Sequence, residues 1–118
     1  MEVFTTATEN ARQESKYGRS SDQREKLVRR DLAMTEKAVH WLVGPKLTSN
    51  QFSATVSLVF NISSGNFRAS QIRQRLLRDD HDGAADIWWQ WRRGGPDRRI
   101  LPGLVKRREM ERELFETD

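Results

Sequence analysis

The chain has 118 residues, enough for one domain with its own core and too few for two. Hydrophobic residues make up 36% and charged residues 32%, and four Trp with five Phe supply core volume that a disordered chain lacks. The net charge of +4 is spread evenly, with nine basic and seven acidic residues in 1–67 and twelve and ten in 68–118, so neither half is a basic arm; the absence of cysteine excludes disulfides, thiolate metal sites and a cysteine nucleophile.

Residues 1–20 contain no apolar run that could act as an export signal or anchor, and no later stretch reaches the roughly 20 apolar residues of a membrane span. The expectation is a cytoplasmic protein with no membrane partner. This opening segment reads as a poorly structured leader; Val3-Phe4-Thr5-Thr6 favours a strand but has no partner strand nearby. A first helix starts near Ser20 or Ser21 and runs to about Val43, with Val28, Leu32, Val39 and Leu42 as its apolar stripe. Gly44-Pro45 ends it, because proline cannot continue the hydrogen-bond ladder. Thr48 and Gln51 form a capping-box pattern for a second helix that buries Phe52, Val56, Val59 and Phe60. Residues 61–66 then read as a turn.

Ser70 caps a third helix carrying Ile72, Leu76 and Leu77, which Asp79-Asp80-His81-Asp82 breaks. A fourth helix is expected from about Gly83 to Arg93. On it Ala84, Ile87, Trp88 and Trp91 stand at i, i+3, i+4 and i+7 and face the core. Trp89 lies about 100° round from Trp88, joining Ala85, Arg92 and Arg93 on the flank. An exposed Trp beside two Arg has the composition of an interface hot spot, which makes Trp89, Arg92 and Arg93 candidate partner-binding residues. The alternative is a Trp lying flat on a neighbouring helix. Gly94-Gly95-Pro96-Asp97 is a loop, and a last helix runs from Leu101-Pro102 to about Phe115 with Leu104, Val105, Met110 and Leu114 inward. The sum is a mainly α fold, one compact domain of about five helices over residues 21–118.

Phe60-Asn61-Ile62-Ser63-Ser64-Gly65-Asn66-Phe67-Arg68-Ala69-Ser70, and Asp80 with Gly83-Ala84-Ala85, resemble the N-x-G-x-G-x-F-R-x-S and G-D-x-x-G-A-A stretches of the phage lysozyme (endolysin) family. Trp88 and Trp91 match an aromatic-x-x-Trp pair. Leu101-Pro102-Gly103-Leu104-Val105-Lys106-Arg107-Arg108-Glu109, with Glu111 and Leu114-Phe115, is close to the family's ending, and Asp31-Leu32 and Leu47 to Phe52 also fit. The resemblance covers residues 21–115, with a short insertion at Pro96-Asp97, and implies the helical lobe of a phage-type lysozyme.

The resemblance also implies where catalytic groups belong: a Glu on a short helix, then an Asp and a Thr on a small sheet, all before the matched segment. About twenty residues are too few for that helix and sheet, and Tyr17-Gly18-Arg19 is only a three-residue echo of the G-Y-G-H turn. Glu14 and Asp22 mimic the acid and its partner, but neither has an apolar pocket to raise a carboxyl pKa, so both read as surface carboxylates and no catalytic residue is assigned. Ser63, Leu77 and Asp79 depart from the family's Gly, Asn and Gly. Asn61 matches a position lining the substrate cleft and is a candidate remnant of it; as a turn residue it would instead satisfy local backbone. His40 and His81 are isolated, so no metal and no cofactor are expected.

These readings point first to a phage-derived, non-catalytic binding or inhibitor protein acting on a host protein or defence complex in the host cytoplasm. The alternatives are an endolysin-type muramidase or peptidoglycan-binding fragment serving lysis, and a nucleic-acid-associated protein favoured by the basic charge.

Overall fold

The computed structural model describes residues 21–117. The expected leader, with Glu14 and Tyr17-Gly18-Arg19, lies outside them. Contacts divide the chain into two units, one ending at Ala33 and the other running from Met34 to Asp118. The described part of the first is the opening of helix α1 (Ser21–Val43). Asp22 sits exposed in its first turn, beside a polar stretch in which Val28 is half-buried.

The second unit contains the end of α1, where Val39 and Leu42 are buried. Gly44, at φ +93°, donates its N–H to the His40 carbonyl at 2.9 Å, the left-handed cap that a side chain would strain. Helix α2 (Ser49–Ile62) opens on the anticipated capping box: Gln51 N–H donates to Thr48 Oγ1 at 3.1 Å and Thr48 N–H to Gln51 Oε1 at 3.0 Å. Ala54, Thr55, Val56, Leu58 and Val59 form its buried face, while Phe52 and Phe60 are only half-buried. Thr55 tolerates full burial because its hydroxyl donates to the Gln51 carbonyl at 2.8 Å.

Residues 61–66 are not the simple turn that their composition suggests. Ser63 at φ 86° ends α2, and its hydroxyl accepts the Asn66 N–H at 3.3 Å to start helix α3 (Ser64–Arg68), which buries Phe67. Ser70 donates to the Phe67 carbonyl at 2.7 Å and accepts from Arg73 N–H at 3.1 Å, so one hydroxyl ends α3 and caps α4 (Gln71–Leu77). Arg73 Nε donates to the Leu42 carbonyl at 2.8 Å, satisfying the last turn of α1. Asp79, at φ 60°, breaks α4, but Asp80 begins α5 (His81–Asp86) by accepting the Gly83 N–H at 3.0 Å.

The expected helix over 83–93 is shorter than its periodicity suggests. Ile87, at φ −109° and ψ 7°, leaves the helical region, and a 3-10 turn (Trp88–Gln90) follows. A two-residue hairpin comes next, β1 (Arg93–Gly94) antiparallel to β2 (Arg99–Ile100), with Arg93 opposite Ile100 and Gly94 opposite Arg99. Helix α6 (Pro102–Phe115) completes the described elements. The fold is mainly helical as anticipated, with six α-helices and not five among the described residues.

Helix α6 packs chiefly on α2, and α4 on α5. The face of α6 turned inward differs from the anticipated one: Met110 is 62% exposed and Leu114 is also exposed, whereas Arg108, Glu111 and Phe115 are buried. Among the predicted core residues Val56, Leu76 and Trp88 are buried, and Leu32, Ile87, Trp91 and Leu104 are half-buried.

Two glycines give opposite expectations. A Cβ on Gly83 would collide with the Asp80 carboxylate and the Arg75 guanidinium and so expel the cap of α5. Gly83→Ala is therefore expected to cost about 1 kcal/mol, in the range of a lost N-cap. A Cβ on Gly65 meets nothing within 4 Å. Gly65→Ala is expected to stabilise by about 0.5 kcal/mol through reduced chain entropy. Urea unfolding of the two variants checks the pair; equal signs would show that the Asp80 cap is not what Gly83 serves.

Candidate functional site

Where α6 faces α2, its inward stripe runs from half-buried Leu104 to buried Arg108, Glu111 and Phe115, at i, i+4, i+7 and i+11. The stripe is apolar at its ends and ionic in the middle. Arg108 is 1% exposed and Glu111 5%. Removing two charges from water costs several kcal/mol per ion unless hydrogen bonds and the mutual attraction offset it.

The Glu111 carboxylate is well supplied with donors. Oε2 accepts from Ser57 Oγ on α2 at 2.6 Å and from Arg107 Nε at 3.1 Å, and Oε1 accepts from the buried Trp88 Nε1 at 3.2 Å. Arg108 Nε lies 3.2 Å from Oε1, an ion pair that is off line for a hydrogen bond. Arg107 also donates through Nη2 to the Ser57 carbonyl at 3.2 Å, doubling the tie between α6 and α2. The Trp88 ring rests on Phe115 with centroids 5.0 Å apart, so the indole is held by apolar contact on its face and by Glu111 at its N–H.

Arg108 is less completely satisfied. Its Nη2 donates to Asn61 Oδ1 at 2.6 Å, while its buried Nη1 has no partner among the described residues. Burial pushes the guanidinium below its usual pKa; the Glu111 charge opposes that shift, and neighbouring Arg107 adds to it. Arginine can only donate, so it fixes which end of the Asn61 amide faces inward. The Asn61 Nδ2 protons are left for another acceptor, on a residue that is itself exposed. The site is thus an exposed amide donor held by a buried cation, which a buried carboxylate neutralises.

Asn61 therefore does more than close a turn: it lies within α2 and engages α6 forty-seven residues away. From sequence Arg108 and Glu111 stood only as members of the family's closing motif, with no role at a site, and Ser57 was not singled out. Their signal was the opposite charges at i and i+3, in register with Leu104 and Phe115, which also describes an ordinary surface ion pair.

Of the other sequence candidates, Trp89, Arg92 and Arg93 lie elsewhere on the second unit. Trp89 is 47% exposed, and the Arg92 guanidinium sits 4.7 Å from its ring centroid. Arg93 is exposed on β1 and donates through Nη1 to the Arg98 carbonyl at 3.2 Å, across the hairpin. Trp91, expected in the core, is half-buried, because the 3-10 turn replaces the helical rotation that would have carried it inward. Asp22 remains a surface carboxylate on α1. Among the described residues no cluster of three or more His, Asp or Glu could hold a metal, and no helix is long and apolar enough to cross a membrane.

Comparison with known proteins places this architecture. Residues 4–111 match the family described as phage lysozyme. The match begins upstream of residue 21, taking in most of the segment that the sequence reading set apart as a leader. The chain is 35% identical over 100 residues to the endolysin of Acyrthosiphon pisum secondary endosymbiont phage 1, covering 83% of this chain and 68% of that protein. It is 34% identical over 96 residues to the endolysin of Salmonella phage P22, covering 81% of this chain and 64% of that protein. Among solved structures, the muramidase domain of SpmX from Asticaccaulis excentricus superposes with a TM-score of 0.76 at 33% identity, covering 84% of this chain and 69% of that one. A mutant P22 lysozyme does so with a TM-score of 0.71 at 33% identity, covering 84% and 66%. The chain thus spans about two thirds of the length of the relatives it matches.

The ionic core predicts an asymmetric mutational response. Glu111→Ala leaves Arg108 buried beside Arg107 with no counter-charge, which is expected to cost about 3–5 kcal/mol. Trp88→Phe removes one charge-assisted hydrogen bond while keeping ring contact with Phe115, at an expected cost of about 1.5–3 kcal/mol. Denaturant unfolding of both variants tests the ordering, and a loss for Glu111→Ala smaller than for Trp88→Phe would contradict it.

Proposed function

The chain belongs to the phage lysozyme family, and from that premise we propose that it is an endolysin-type protein that binds the glycan of peptidoglycan through Asn61. The observation that carries this reading is the 2.6 Å hydrogen bond from buried Arg108 to exposed Asn61. A cation held in the core at a desolvation cost, and left with Nη1 unpartnered, is a poor device for stability alone. Its outward effect is to present the Asn61 amide protons in one orientation. The hydroxyl and N-acetyl carbonyl oxygens of an aminosugar polymer are acceptors of the matching kind. Pre-ordering the donor lowers the entropy lost when such a ligand is engaged.

The proposal for the described residues is binding and not hydrolysis. Cleaving a glycosidic bond takes two carboxyl-type groups flanking it, one as acid and one as base or nucleophile. Glu111 is the one buried carboxylate among the described residues, and its oxygens are occupied by Ser57, Arg107, Trp88 and the Arg108 ion pair. Those contacts keep it in the core, away from a glycan lying on the surface. The names of the relatives, endolysins and a muramidase, support an action on the cell wall and give no support to an inhibitor of a host protein.

Co-sedimentation with insoluble purified peptidoglycan tests the reading. The chain is expected to pellet with the polymer, and Asn61→Ala to weaken that binding about tenfold, as loss of one good hydrogen bond of about 1.4 kcal/mol would, with an unchanged circular dichroism spectrum. No co-sedimentation, or equal binding by Asn61→Ala, overturns it. Clearing of a peptidoglycan suspension that Glu14→Gln abolishes would assign hydrolysis to the chain as well.

A further inference from the structure

The segment Arg92–Arg99 carries four arginines and one acidic residue, Asp97, a local excess of three positive charges in a chain whose total is +4. Local geometry orders this charge. The hairpin turn closes through Arg98 N–H to the Gly95 carbonyl at 3.2 Å, and Leu101 N–H to the Arg92 carbonyl at 3.1 Å extends the short ladder. Asp97 is occupied by Arg99, at 2.9 Å. Arg92 lies over Trp89. Arg93 spends one N–H on the Arg98 carbonyl and keeps its other donors. Arg98 forms no ion pair among the described residues and stands at φ 54°, a backbone conformation that asparagine or glycine would adopt with less strain. Three guanidinium groups thus lack a carboxylate partner among the described residues, and one of them, Arg92, lies over a tryptophan ring that is about half exposed.

We propose that this hairpin and Trp89 form a binding site for single-stranded nucleic acid, separate from the Asn61 site. The three guanidiniums of Arg92, Arg93 and Arg98 fit a phosphodiester chain, since each presents a planar fork of donors matched to phosphate oxygens. Trp89 supplies the second element that a single strand requires, an aromatic ring on which an unpaired base stacks, with the Arg92 guanidinium over the ring extending the stack. A duplex hides its bases within its own stack, so the aromatic element selects the single strand. A lipid surface would also take up the charges and an interfacial indole, and comparison with anionic vesicles separates the two.

The experiment is a titration of the full chain into a fluorescein-labelled oligothymidylate, read by anisotropy and by quenching of tryptophan fluorescence between 50 and 200 mM salt. With three phosphate contacts the slope of log K against log salt is expected near −2, from about −0.7 per contact on single strands. The double variant Arg93→Gln, Arg98→Gly should reduce the slope to about −0.7. Glycine at position 98 relieves the positive φ, so the turn is retained while the charge is lost. Trp89→Leu should weaken binding at least fivefold with the slope unchanged, because stacking is insensitive to salt. Circular dichroism of each variant matching the parent is part of the expected result. Absence of binding at 50 mM salt, an unchanged slope in the arginine variant, or unaltered affinity in Trp89→Leu overturns the proposal. So does tighter binding to phosphatidylglycerol vesicles than to the oligonucleotide, which would assign the patch to a lipid surface, or equal binding of duplex and single strand.

Discussion

A carboxylate inside a small helical protein is stable only where donors replace the water it gave up. Glu111 meets that condition with three hydrogen bonds and an ion pair from four different side chains. The same arrangement fixes much of the second unit. Ser57 belongs to α2, Arg107 and Arg108 to α6, and Trp88 to the 3-10 turn after α5, so one carboxylate ties three elements at a single point. Hydrophobic burial by Val56, Leu58, Phe67 and Ile72 brings the helices together without fixing their register closely. The directional bonds to Glu111 do fix it: sliding α6 by one residue would turn the carboxylate about 100° away from Ser57 and Trp88.

Arg108 extends that constraint to the surface. Glu111 offsets its burial, and Arg108 in turn holds Asn61. The chain of contacts therefore runs from a fully buried indole, through an ion pair, to an exposed amide. Each step restricts the rotamers of the next, and this is how a rigid core can present one orientation of a side chain that would otherwise sample several on an open helix surface. In the proposed reading this amide meets a cell-wall glycan, and the local geometry supplies the pre-ordering.

The hairpin is organised by different physics. It has little buried area of its own, with two residues per strand and a turn whose backbone carries positive φ at Gly95 and Arg98. What holds it are backbone hydrogen bonds and arginine contacts, and these leave charge at the surface and not inside. The protein thus uses arginine in two distinct ways: at 107 and 108 to satisfy a buried anion and connect helices, and at 92, 93 and 98 to leave charge along the hairpin, with Arg92 over the Trp89 ring.

Much of this was legible in the chain itself. The capping box at Thr48 and Gln51, the stop at Gly44-Pro45, the Ser70 cap and the start of α6 at Pro102 are local events, decided within a few residues by side-chain caps at the first and third and by glycine and proline backbone geometry at the others. The family resemblance was equally available, since it rests on residue order. The tertiary structure decided the rest. Periodicity assigned Met110 and Leu114 to the inside of α6 because it weighs hydrophobicity, and it passed over Arg108 and Glu111 because charge counts as surface unless its partners are known. Those partners, Ser57, Asn61 and Trp88, are 23 to 54 residues distant. Likewise the helix expected to reach Arg93 stops at Asp86, since helical propensity is a weak preference that packing of Trp88 against Phe115 and Glu111 overrides. Local bonding determined where most elements begin and end; which charged residues the fold takes inside depended on contacts that only the assembled helices create.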